Sequence, residues 1–443
     1  MSSMQKRLYM HTIGCQMNVY DSQQIARLLK PLGYELVPAE YDADLIIVNT
    51  CSVREKAEQK AFSLLGRLAA LKQKKPGMII AVGGCVAQQA GRSIFSRAPH
   101  VDLVFGTQAV DRIAGLIKAV QDDRRARVDI AFQDDFRGGA LTAGIPEAPA
   151  GPCRFVTIMR GCNNFCTYCV VPYVRGREKS REPNEIIQEI KALAEDGCKE
   201  VTLLGQNVNS YGSNLEKKVT FAELLYEINK IDGIERIRFM TSHPKDLTDD
   251  LIKAIKECDK VCKHVHLPVQ AGSNNILSRM NRKYTKEHYL NLVEKLKKAV
   301  PDIAITTDII VGFPGETEED FLETIDIVKK VQYDSAFTFL YSVREGTEAA
   351  KMENQVPDEV KHERFDKLLD VLYPIVLERN QQCIGKVFPV LVESAENDKL
   401  TGRTEHFRLV HFKGSNALIG EIVNVRITNV KTFHMEGEFV SLL

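Results

Sequence analysis

The stretch RGCNNFCTYC places Cys162, Cys166 and Cys169 in a C-x3-C-x2-C array. Three thiolates in one loop can ligate three irons of a cubane cluster and leave the fourth iron open. An open iron is what a cluster needs to bind and act on a substrate directly. A closed electron-transfer cluster would carry a fourth cysteine. A structural zinc loop is the other chemistry open to such an array, but zinc wants a fourth Cys or His nearby, and the following VVPYVRGREKSR supplies none.

A second set of thiols is dispersed. Cys15 follows the apolar run RLYMHTI, Cys51 follows DLIIVNT, and Cys85 follows MIIAVGG. In an open parallel sheet the carboxyl ends of the strands converge on one edge, where ligands bind. Cysteines far apart in sequence can therefore meet there as a second three-thiolate site. Each sits in a polar or glycine-marked turn, GCQMN, NTCS or GGCVAQ, whose amides can donate to cluster sulfurs. The competing reading is three small buried hydrophobes, a common role for free cysteine. Cys153, Cys198, Cys258, Cys262 and Cys383 have no comparable setting and receive no chemical role.

The elements that must position these thiols fall into three blocks. Residues 5–121 alternate short apolar runs with helix-like segments, the pattern of an open parallel α/β domain. Its strands are RLYMHTI, DLIIVNT, MIIAVGG and VDLVFG. Asp21 and Ser22 offer N-cap oxygens to a helix carrying Ile25, Leu28, Leu29 and Leu32. Residues 122–152, rich in charge, Gly, Ala and Pro, read as a linker.

Residues 153–377 give six strand candidates, each followed by a helical segment: RFVTIMR, EVTLLGQ, RIRFMTS, HVHLPVQ, IAITTDIIVGF and SAFTFLYS. The series predicts a complete or partial α/β barrel with chemistry at the carboxyl ends of its strands. Residues 380–443 change to short alternating runs, KVFPVLVE, FRLVHF and EIVNVRITNV. These predict a small antiparallel β-barrel of a class that includes oligonucleotide-binding folds.

Composition narrows the setting. The 443 residues carry 59 Lys+Arg and 59 Asp+Glu, so no whole-chain field draws a polyanion and any RNA site must be local. The start MSSMQKRLYM lacks the apolar core of a secretory signal, and no stretch is long and apolar enough to span a bilayer. The expected location is the cytoplasm, with no membrane partner. In that compartment the eleven cysteines favour metal or cluster ligation over disulfides.

The C-x3-C-x2-C array on the first strand of an α/β barrel resembles the radical S-adenosylmethionine superfamily. Joined to three N-terminal cysteines and a C-terminal β domain, the chain resembles the methylthiotransferases over nearly its whole length. The resemblance implies two 4Fe-4S clusters, one on Cys162, Cys166 and Cys169 and one on Cys15, Cys51 and Cys85. It also implies S-adenosylmethionine, two molecules per turnover.

By the same resemblance Tyr168 lies near the cofactor's adenine. The segments GQNVNSYG, TSHP, HLPVQ and DIIVGFPGET line its pocket, with Gln206, Asn207, Ser242, His266, Asp308 and Gly312 as contacts. The residues alone also allow DIIVGFPGET to be a strand-turn-helix joint, with Gly312, Pro314 and Gly315 making the turn.

Among the family's branches, TIGCQMNVYDS, GCVAQ, YCVVPYVRGREKSR and TSHP are similar to the one that acts on isopentenylated tRNA adenosine next to the anticodon. Other branches act on threonylcarbamoyladenosine in tRNA or on a ribosomal-protein aspartate. The chain departs from that branch at Ala271, where Ser is usual, at Lys283, where Gly is common, and at Val343 and Glu345, in a segment that often carries prolines.

The C-terminal block resembles the TRAM module, which binds RNA. Its charge is balanced, so RNA binding rests on the resemblance, with Arg403, Phe407, Arg408 and Lys413 as candidate contacts to a tRNA anticodon stem-loop.

Adenine carbon 2 bears a hydrogen too weakly acidic for a general base at neutral pH, and a radical route avoids that barrier. The resemblance implies that the loop cluster cleaves S-adenosylmethionine to a deoxyadenosyl radical while the N-terminal cluster supplies the sulfur. An electron donor and a sulfur donor come from outside the chain. A reading from another class is a non-enzymatic iron-sulfur protein that binds RNA or carries electrons.

Overall fold

A computed structural model describes residues 5–52, 55–132 and 151–443, and the part of the expected linker from 133 to 150 lies outside them. The chain folds as two compact units. The first comprises the N-terminal residues together with Arg160–Asn163 and Val170–Lys179, and the second holds the rest of the barrel loop and everything from Ser180 to Leu443.

In the first unit, strands Lys6–Thr12, Leu45–Thr50, Ile79–Gly84 and Leu103–Phe105 pair in parallel. Successive residues point to opposite faces, so Ile47, Ala81 and Phe105 pack one side with Ile25 and Ile117. Ile46, Val48, Ile80 and Val82 pack the other with Leu64 and Leu68. Burial on both faces is why the inner strands Leu45–Thr50 and Ile79–Gly84 read as near-continuous apolar runs. Two three-residue strands, Tyr34–Leu36 and Arg127–Asp129, complete the six-stranded sheet at its edges. The second of them falls within the segment expected to be linker.

Helix Gln16–Leu29 begins well before Asp21 and Ser22, so these are interior residues and not caps. Their polar atoms have tertiary partners instead. Asp21 meets Arg175 at 3.0 Å, and Ser22 Oγ accepts from Asn49 Nδ2 at 3.0 Å.

In the second unit all six expected barrel strands form. Cys153–Thr157, Glu200–Leu204 and Arg236–Phe239 make one parallel sheet, and His264–His266, Ala304–Val311 and Ser335–Leu340 make another. A parallel bridge from Ile237 to Val261 links them, giving a partial barrel in chain order. Thr220, Thr248, Ser273, Thr285 and Thr317 cap the helices that follow, each accepting an N–H from the first turn.

The C-terminal segment closes into a five-stranded barrel, Val387–Glu396, Lys399–Thr404, Leu409–Lys413, Ile422–Val430 and Met435–Leu442. It is seated on the amino-terminal side of the partial barrel's strands. Arg238, 1% exposed, makes a two-pronged pair with Glu200 at 2.9 and 3.0 Å and donates to the carbonyls of Thr404 and Glu405. Arg236 donates to the carbonyls of Arg403 and Pro389.

Candidate active site

The three N-terminal cysteines stand at the carboxyl ends of adjacent strands. Cys15 precedes the first turn of helix Gln16–Leu29, Cys51 follows Leu45–Thr50, and Cys85 opens the short helix Cys85–Ala90 after Ile79–Gly84. Close approach of their turns depends on glycine. A Cβ on Gly14 would lie 2.5 Å from Cys51 Cβ, and one on Gly84 would lie 2.2 Å from the Thr50 carbonyl oxygen; both glycines have positive φ.

Asn18, fully buried, ties the turns together. Its Nδ2 donates to the Thr50 carbonyl at 2.7 Å, and its Oδ1 lies 3.5 Å from Cys15 Sγ and 3.3 Å from Arg175 Nη2. A hydrogen bond with Cys51, helped by the Arg175 cation and the N–H groups of Met17 and Asn18, brings the Cys15 thiol down to about 6 against the effect of burial. That shift favours the thiolate, the form a metal takes. Burial pushes Cys85 the other way, and Arg175 opposes that shift.

The loop cysteines are held from both sides of the array. Cys162 N–H donates to the Gly176 carbonyl at 3.1 Å, and Cys169 N–H to the Cys166 carbonyl at 3.0 Å. Asn281 Nδ2 donates to the carbonyls of Asn164 and Phe165, and Thr167 Oγ1 donates to the Arg279 carbonyl at 2.9 Å. Arg282, buried, places Nη1 3.4 Å from both Cys166 Sγ and the Tyr168 hydroxyl, while its Nη2 donates to the Pro268 carbonyl at 3.0 Å. Lys283, where the family commonly has Gly, sits at φ 60°, a left-handed conformation that glycine adopts without strain.

All eleven cysteines are thiols, and among the described residues no cluster of His, Cys, Asp and Glu is drawn tightly enough to hold a single metal ion. A cubane suits the two sets better, since it distributes three thiolates over three separate irons.

Tyr168 packs against the Phe313 and Tyr341 cluster, and the turns after the second, third and fourth barrel strands carry buried polar atoms without a hydrogen-bond partner. They are Asn207 Oδ1, Ser242 Oγ, His243 Nε2 and Gln270 Oε1. Unsatisfied buried polar groups are costly, so a set of them at strand ends suits a polar ligand such as S-adenosylmethionine. Burial, together with the Arg282 cation, keeps His243 neutral. His266 lies between Thr306 Oγ1 at 3.0 Å and Asp308 Oδ1 at 3.3 Å. Gln206, on the same loop as Asn207, is half-buried.

Gly312 shapes the turn at the end of its strand. Its N–H donates to Glu316 Oε1 at 3.0 Å, its φ is 76°, and a Cβ there would lie 2.3 Å from Lys361 Cγ. It makes the strand-turn-helix joint.

Three of the four RNA candidates also have other employment. Phe407 stacks on His264 at 5.0 Å, Arg403 pairs with Glu393 and lies over the Phe407 ring, and Arg408 meets Asp334 at 2.5 Å. Phe407 and Arg408 join the two barrels, while the Arg403 side chain pairs within the C-terminal one. Lys413 is exposed, and Phe412 lies in the β-barrel core. Sequence reasoning gave no individual role to Asn18, Arg175 and Arg282, whose roles depend on neighbours distant along the chain.

Three family profiles match: the radical SAM superfamily over residues 156–328, uncharacterized protein family UPF0004 over 7–106, and the TRAM domain over 381–440. A protein of Clostridium tetani called tRNA-2-methylthio-N(6)-dimethylallyladenosine synthase is 53% identical over 98% of this chain and 96% of its own length. The chain belongs to the tRNA-2-methylthio-N(6)-dimethylallyladenosine synthase family. Another member, from Carboxydothermus hydrogenoformans, is 51% identical over 98% of this chain and all of its own. Membership of this synthase family and of the radical SAM superfamily carries S-adenosylmethionine and a 4Fe-4S cluster as cofactors.

Solved structures agree on the fold. The radical S-adenosylmethionine methyltransferase TsrM from Kitasatospora setae superposes with a TM-score of 0.59 at 14% identity, covering 88% of this chain and 79% of that one. The cobalamin-dependent radical enzyme OxsB gives 0.54 at 13% identity, over 84% and 57%. Among the described residues no helix is long and apolar enough to cross a membrane.

Proposed function

We propose that this chain converts N6-dimethylallyladenosine in tRNA to its 2-methylthio derivative. The observation that carries this reading is near-full-length identity of 53% to relatives bearing that activity in their names. When bound, one 4Fe-4S cluster on Cys162, Cys166 and Cys169 supplies the electron for reductive cleavage of S-adenosylmethionine, and a second on Cys15, Cys51 and Cys85 supplies the sulfur, with two S-adenosylmethionine molecules consumed per product.

The chain's own residues bind, orient and exclude water. Arg282 braces Cys166 Sγ and the Tyr168 hydroxyl, holding the Tyr168 ring where an adenine can lie against it. Asn207, Ser242, His243 and Gln270 offer their free polar atoms to the cofactor's amino, carboxylate and ribose groups. Asn18 and the glycine turns bring the three N-terminal thiols together. The TRAM module, with Lys413 on its surface, supports an RNA substrate. An external reductant and an external sulfur source complete the stoichiometry.

The test is mass spectrometry of tRNA nucleosides from a strain lacking this gene. The 2-methylthio isopentenyl nucleoside should vanish and its unthiolated precursor accumulate. Loss of the threonylcarbamoyl derivative instead would move the chain to another branch, and unchanged nucleosides would contradict tRNA as substrate.

A further inference from the structure

Arg175 is 4% exposed, although a guanidinium is costly to bury unless charged or polar groups meet it. Its contacts with Asp21 Oδ2 at 3.0 Å and Asn18 Oδ1 at 3.3 Å are both made by Nη2. Asn18 Oδ1 also lies 3.5 Å from Cys15 Sγ, so this guanidinium and the Cys15 thiol share one partner, and the cation's field favours the charged form of Cys85. The short helix Val171–Arg175 delivers it, with Val170 and Val174 packing directly against Cys85. Thr107 Oγ1 and Gln108 Nε2 fix that helix by donating to the carbonyls of Val174 and Arg175 at 2.6 and 3.2 Å.

One carboxylate therefore faces this cation, together with two thiols of the N-terminal set. We propose that Arg175 is the positioning and charge-compensating residue of the N-terminal thiolate site, stabilising the anionic sulfur species that the site's open iron accepts. The inference rests on the reading that Cys15, Cys51 and Cys85 hold a cluster. Three thiolates outweigh the positive charge of an oxidised cubane core, and an anionic sulfur on the open iron adds another negative charge. A fixed cation beside the ligand sulfurs favours both the reduced and the anion-loaded states. Asp21 offsets part of that cation and orients it.

The test uses full-length protein in which Cys162, Cys166 and Cys169 are alanine, so that bound iron reports the N-terminal site alone. Iron content, the reduction potential followed by electron paramagnetic resonance, and affinity for methanethiolate are measured with and without Arg175→Gln, Arg175→Lys and Asp21→Asn. Arg175→Gln should keep its iron, shift the potential to more negative values and weaken methanethiolate binding about tenfold or more. Arg175→Lys should restore much of both, and Asp21→Asn should shift the potential upward. If Arg175→Gln keeps iron with potential and affinity at the parent values, the proposal is overturned while the cluster reading stands. If Arg175→Gln holds no iron, Asp21→Asn decides, and a potential that does not rise overturns the proposal. A parent protein without iron would instead overturn the cluster reading itself.

Discussion

Asn18 donates its side-chain N–H to the Thr50 carbonyl oxygen at 2.7 Å, joining the turn of Cys15 to the turn of Cys51. Its backbone carbonyl in turn accepts from Asn49 Nδ2 at 2.9 Å. Asn18→Ala would leave buried partners unpaired, at a cost of about 1–3 kcal/mol. The expected outcome is reconstituted protein that loses most of its N-terminal iron and keeps the iron of the barrel loop, checked by iron analysis and Mössbauer spectroscopy. Full iron in both sites would contradict the organising role of Asn18.

The Arg238–Glu200 pair lies deep in the second unit, with side chains 1% and 5% exposed. Removing one partner strands a buried charge, so Arg238→Met should destabilise the protein by about 3–5 kcal/mol. The double variant Arg238→Met/Glu200→Leu should recover part of that loss. Thermal unfolding of the set measures it, and equal melting temperatures for wild type and the single variant would argue against the pairing.

Burial pushes the Glu316 carboxyl up to about 7, outweighing the Gly312 N–H and Arg364, which favour its charged form. Because the folded value lies above the ordinary 4.5, this group's contribution to stability is complete below that value and is lost as pH rises through about 7. Glu316→Gln keeps an acceptor for Gly312 and cannot ionise. Wild type should therefore lose melting temperature relative to this variant between about pH 4.5 and 7.5. A gap that does not vary with pH would contradict the shift.

These three sites differ in how far the sequence announced them. Cys15, Cys51 and Cys85 were readable because each ends an apolar run, and a buried parallel strand leaves such a run in the sequence. The edge strands Tyr34–Leu36 and Arg127–Asp129 were not, being three residues long and partly polar. Asp21 and Ser22 imitate caps because an isolated helix would use them so, but Arg175 and Asn49 claim them. Arg408 and Phe407 looked like RNA ligands for the same reason: cations and rings also suit a seam between packed barrels. Nothing in the local pattern distinguishes a surface arginine from Arg175 or Arg282, whose settings arise only when distant strands meet.

The barrel junction separates binding from folding. Lys413→Glu should weaken tRNA affinity and lower the salt dependence of binding by about one phosphate contact, with melting temperature unchanged. Arg408→Gln breaks the contact with Asp334 and should lower melting temperature before it affects the salt slope. Titrations of labelled tRNA at several salt concentrations check both. A Lys413→Glu protein with wild-type affinity would remove that residue from the RNA surface.

The central claim is that the barrel loop drives cofactor cleavage while the N-terminal thiols supply sulfur. The direct measurement is anaerobic assay of Cys162→Ala and Cys51→Ala with dithionite, S-adenosylmethionine and isopentenylated tRNA, with chromatography for deoxyadenosine and the methylthio nucleoside. Cys162→Ala should form neither. Cys51→Ala should still form deoxyadenosine but no methylthio product. Methylthio product at the wild-type rate from Cys51→Ala, or deoxyadenosine from Cys162→Ala, would contradict the account.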